Sequence, residues 1–195
     1  MMIIRIIFIV IFAAMTPGLL SAANQTPQEA LEILEQKMTK SLDKQGQEQF
    51  KKIQVAHGTI RAVQDVQNAL DRAVESCGQK NIDLGAAIKT SFQEWKNEVL
   101  PVVRQGKNRL DKMILTHQSL KPEQIRAYLK DFDQLINTQK KDVVEVSISD
   151  ASACRAIAEQ MKTTRVAMRR MISETLGLNV TLPSVDKKDG TTPQP

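Results

Sequence analysis

The sequence predicts an all-α protein, an up-and-down bundle of four to five helices closed by one disulfide. Three observations predict it. Apolar residues recur at alternating spacings of three and four over most of the chain, the period of helices with one buried face. Proline-led and capped starts and glycine stops fall between these stretches. Aromatic residues make up 4% of the 195, and there are 8 glycines, too few rings and turn formers for an all-β sandwich or barrel.

Residues 1–23 read as a cleaved signal peptide. Arg5 is the basic start, Ile6 to Ala14 an uncharged apolar core, Pro17-Gly18 a helix break, and Ser21-Ala22-Ala23 the small residues before cleavage. The break, and the lack of basic residues just after it, argue against an uncleaved anchor. No cysteine stands near the cut for lipid attachment. The chain is therefore expected to begin at Asn24 and to act in the periplasm or outside the cell.

Thr26-Pro27-Gln28-Glu29 is a capping box with proline at the first helical position, so a first helix is expected from Pro27. It carries Leu31, Leu34, Met38 and Leu42, with a pause expected at Gly46. From Phe50 a second stripe runs through Ile53, Ala56, Ile60, Val63, Leu70, Val74 and Cys77, and Gly78 is its expected stop. A third helix from about Asp83 buries Leu84, Ile88, Phe92, Trp95, Val99, Val103, Leu110, Met113 and His117, with a kink expected at Pro101.

Pro122 opens the fourth helix, Leu120 being placed to staple onto Ile125. Its stripe is Ile125, Leu129, Phe132, Ile136, Gln139, Val143 and Val146. Cap candidates between Ser147 and Ser152 start the last helix, which carries Cys154, Ile157, Met161, Thr164, Met168 and Met171 on one side and stops at Gly177. One bundle domain over residues 24–178 and a disordered tail over 179–195, rich in Thr, Pro, Lys and Asp, complete the organisation.

Cys77 and Cys154 are the only cysteines, and export makes them an expected disulfide. Cys77 ends one helix and Cys154 begins another after two intervening helices, so alternating topology brings both to the same end. No Cys-x-x-Cys motif suggests redox catalysis.

Of 27 basic residues the leader holds Arg5 alone, leaving 26 against 22 acids, a formal charge of +4. That mild excess, spread along the chain, is no nucleic-acid footprint, but it suits an anionic protein, an envelope component or peripheral contact with a membrane. Arg155, Lys162 and Arg169, seven apart, form a candidate basic stripe for a partner. Trp95, Met113, Met161 and Met168 are candidate lining for an apolar ligand.

His57 and His117 lack metal-ligand spacing and are read as structural or surface histidines. There is no nucleophile elbow, P-loop or dinucleotide motif. No catalytic residue, metal site or cofactor is expected. Partner identity and oligomeric state are not specified by these residues.

The stretch from Ala156 through Ile157, Ala158, Glu159, Gln160, Met161, Lys162, Thr163, Thr164, Arg165 and Val166 to Ala167 resembles the last helix of the soluble periplasmic b-type cytochromes. Leu34-Glu35-Gln36-Lys37-Met38 is similar to the first-helix stretch holding that family's methionine ligand. The resemblance implies an exported helical bundle, with haem b bound through Met38 and a histidine. At the histidine's position this chain has Arg169, which stays protonated and cannot ligate iron. The expected function is therefore non-catalytic binding of a protein, envelope or host partner, with a haem or redox carrier, or a carrier of an apolar ligand, as the alternative.

Overall fold

The computed structural model describes residues 26–140 and 150–179. The leader, the Val143–Val146 run and the tail from residue 180 lie outside the described residues. There are five helices: α1 (Pro27–Thr39), α2 (Lys44–Lys80), α3 (Ile82–Leu115), α4 (Pro122–Lys140) and α5 (Ala151–Leu176), with no strand among the described residues.

The caps explain most boundaries. Thr26 and Glu29 close the expected box at α1, the Thr26 N–H donating to Glu29 Oε2 at 2.7 Å. The first pause differs from expectation. It falls before Asp43, whose carboxylate accepts the Gly46 N–H at 2.7 Å and starts α2 three residues ahead of Gly46. Gly46 then lies inside the first turn, where a Cβ would come within 3.1 Å of Ser119 Oγ.

Likewise Gly78 does not stop α2. The helix runs on to Lys80, and the close approach of α3 to it depends on Gly85, where a Cβ would sit 3.3 Å from the Gly78 Cα. α3 continues through Pro101 as one element. Leu120 and Ile125 are both buried around the start of α4, and Gly177 ends α5 at φ +60°.

Directions follow from paired residues. Glu94 with Arg165 and Glu98 with Arg169 advance by four together, so α3 and α5 are parallel. His57 with Asp133 and Arg61 with Asn137 advance together too, so α2 and α4 are parallel. α2 and α3 are joined by Asn81 alone and are antiparallel. The alternating topology is thus present, and the disulfide with it: Cys77 and Cys154 are bonded, with Cα atoms 5.9 Å apart and both side chains buried.

α2, α3 and α5 pack on one another, while α4 packs on α3 and α1 and reaches α2 through side chains. The core holds Phe50, Ile53, Ile60, Ile88, Phe92, Trp95, Val99, Met161 and Ile172. On the last turns of α5 the buried residues are Ile172 and Leu176, and Met171 faces out, against its expected place on the core side. Gly106 sets this geometry: a Cβ there would be 3.1 Å from Ile172 Cγ2, so α5 lies close against α3 only because residue 106 has none.

Candidate functional site

The three residues of the expected basic stripe do not act alike. Arg155 is exposed, and Lys162 is exposed but paired with Glu159 at 2.6 Å. Arg169 turns inward, its side chain 13% exposed, and donates to Glu98 Oε2 at 3.0 Å beside Arg165, which spans Glu94 and Glu98. Arg169 therefore fastens α5 to α3 and is not part of an open stripe.

The expected apolar lining is also dispersed. Trp95 and Met161 are fully enclosed in the core, and the Trp95 Nε1 has no hydrogen-bond partner. Met168 packs partly buried against that core, and Met113 lines a hollow near the far end of α3. Met38 packs partly buried from α1, whose main neighbour is α4, whereas Arg169 belongs to the α3–α5 seam.

Sequence reasoning missed a polar cluster between α2 and α4. His57 Nε2 lies 3.0 Å from Asp133 Oδ1, Arg61 donates to the same carboxylate and to Asn137 Oδ1, and Arg61 also faces Asp65. The signal was there: His57, Arg61 and Asp65 recur every four residues beside the apolar stripe, as Asp133 and Asn137 do on α4. Arg61 is engaged by both carboxylates, and no metal-holding group of acids, histidines and cysteines occurs among the described residues. The chemistry of the cluster is that of a clasp between helices.

His117 is a second pin. Its Nδ1 accepts the N–H groups of Ser119 and Leu120 at 3.2 and 3.1 Å, which leaves the proton on Nε2 to donate to the Gly46 carbonyl at 3.2 Å. The turn after α3 is thereby locked to the first turn of α2. Tyr128, packed edge-on against Phe50, has its hydroxyl pKa raised by burial, while Gln54 hydrogen-bonds the same oxygen.

The surface offers two contrasting grooves. At the disulfide end one of about 810 Å³ is bordered by Asp71 and Glu75 on α2 and by Lys89 and Lys96 on α3, with Lys96 laid over the Phe92 ring at 4.5 Å. Arg72 lines it as well, so three cations stand there against two acids. At the opposite end two adjoining hollows of 410 and 320 Å³ share Lys52 and Thr175 and form an open furrow where α2, α3 and the end of α5 meet.

The furrow combines apolar surface with cations. Val55 is 52% exposed in it, Met113 and Leu176 contribute apolar wall, and Met171 stands one turn before Thr175 on the same side of α5. Lys51, Lys52 and Arg109 line it, and none of them makes an ion pair or hydrogen bond among the described residues. Glu48 and Glu174 are its exposed acids.

No helix among the described residues is long and apolar enough to cross a membrane. A buried disulfide fits an oxidising environment outside the cytoplasm. Compared with known proteins, the chain matches no family model, no curated protein sequence and no solved structure.

Proposed function

We propose that the protein is an exported, non-catalytic helical bundle that acts by holding a protein partner in the furrow between α2 and the end of α5. The leader at residues 1–23 and the disulfide support export. One observation carries the binding site: Val55 stands exposed there beside Lys51, Lys52 and Arg109, none of which makes an ion pair or hydrogen bond among the described residues. An exposed apolar patch with a polar and charged rim is characteristic of interaction surfaces.

The furrow rests on a stiff support, because α2 and α5 are tied by the disulfide and α5 is seated on α3 through Gly106. A preformed surface keeps the entropy cost of binding low. The test is a photo-crosslinking amino acid at position 55 in the protein made by its native cells, with position 93 in the opposite groove as control. One adduct of defined mass at position 55 alone is the expected result. Adducts no stronger than at position 93, or a reproducible turnover activity in the purified protein, would overturn the reading.

A further inference from the structure

We infer that in the free protein this furrow is covered by the chain's own residues 180–185, which a partner has to displace. The inference rests on the binding reading above and adds how that site is regulated.

The described chain ends at the edge of the furrow. Glu174, Thr175, Leu176 and Gly177, the last residues of α5 and its cap, line the 410 Å³ hollow. The cap turns the chain back on the bundle. Gly177 takes φ +60°, the Leu178 N–H donates to the Ser173 carbonyl at 2.9 Å, and the Leu178 side chain packs partly buried against the core. Only Leu178 and Asn179 separate the lining of the hollow from position 180. Six residues extend up to about 20 Å, enough to cross this hollow and enter the adjoining one of 320 Å³, which shares Lys52 and Thr175.

The composition of the segment suits what the furrow offers. The aliphatic residues after Asn179 are Val180, Leu182 and Val185, and from Asp186 to Pro195 there is none. Pro183 disfavours helix at Leu182, and an extended run puts Val180 and Leu182 on one side. Met113 and Leu176 supply apolar wall in the first hollow, and Val55 in the second. Residues 180–185 carry no charge, which fits a lining of mixed sign, Lys51, Lys52 and Arg109 beside Glu48 and Glu174.

Attachment at the rim supplies the rest. A segment tethered this closely acts at roughly millimolar effective concentration, so a contact of only millimolar affinity already covers the furrow about half of the time. An uncharged cover leaves the three cations unmatched. A partner that meets the apolar wall and the cations together displaces it.

The experiment places a benzophenone amino acid at position 182 of the full chain and irradiates the dilute purified protein. An intramolecular crosslink to Met113 or Thr116 is expected, and none from position 192, beyond the aliphatic run. In native cells, Leu182→Glu should raise the position 55 adduct at least about threefold by freeing the furrow, while Thr192→Glu leaves it unchanged. Unchanged helical circular dichroism shows that each variant has folded.

Crosslinks from position 182 that scatter over the surface or form equally from position 192, or a position 55 adduct that Leu182→Glu does not raise, would overturn the inference. The two proposals fail separately. An intramolecular crosslink without any adduct at position 55 keeps the covering segment and removes the partner. An adduct without that crosslink keeps the partner and removes the cover.

Discussion

At the residue scale the histidines show what spacing conceals. Nothing in the sequence pairs His117 with Gly46, 71 positions away, yet that contact holds the α3–α4 turn. Its structural role was legible, but its partners were not, because they belong to a turn and a helix start that meet only in the fold. His117→Phe keeps the ring and strands the Ser119 and Leu120 N–H groups, so a loss of about 2 kcal/mol is expected in urea unfolding. Trp95, by contrast, is enclosed in the core, and its emission should be blue-shifted and poorly quenched by iodide, turning red only on unfolding. Quenching in the folded protein would show that the core opens. For Arg169 the ion pair predicts that Arg169→His leaves added haemin with the spectrum of free haemin, since position 169 belongs to the α3–α5 seam while Met38 packs from α1; a shifted and sharpened Soret band would contradict this.

At the element scale the starts were better legible than the stops. Proline and side-chain caps act locally, which is why Pro27 and Pro122 read correctly from the chain. Glycine is ambiguous, serving a helix end at Gly177 and a close crossing at Gly85 and Gly106. Only tertiary packing separates the two uses. Gly106→Val should therefore cost about 1–3 kcal/mol by forcing Ile172 and Leu176 away, while Gly58→Ala, which meets nothing within 4 Å, should not destabilise. The start of α5 adds a pH dependence. Hydrogen bonds from Ser152 and Ala153, led by the Ser152 hydroxyl, hold the Asp150 carboxyl below its ordinary value of 3.8. A folded pKa lower than the unfolded one contributes stability above that ordinary value and loses it as pH falls through the folded value. Asp150→Ala should consequently lower the melting temperature at neutral pH and by less near pH 2, as thermal melts across that range would show.

For the molecule as a whole, the fold class, the helix order and the cysteine pairing were legible, and the furrow was not. A stripe repeating every three or four residues specifies which side of a helix is buried, but the furrow depends on which helices meet and how far each extends. Met171 shows this: about 100° of rotation about α5, the step of a single residue, decides between Met171 and Ile172 as the core residue, and Ile172 is the one that packs against Gly106. The cysteines are the counter-case, since helix count alone placed them together. With both side chains buried, neither should react with reductant until the bundle unfolds, and Cys154→Ser should reduce stability by up to about 4 kcal/mol. The same bond has a mechanical consequence. Tension applied between the start of α2 and the end of α5 runs along α2, across the sulfur bridge and into α5, bypassing α3 and α4. A sequence separation of 77 residues, roughly 260 Å of extended chain, stays hidden from the load. Single-molecule stretching should release that length only after a reductant has cut the bridge.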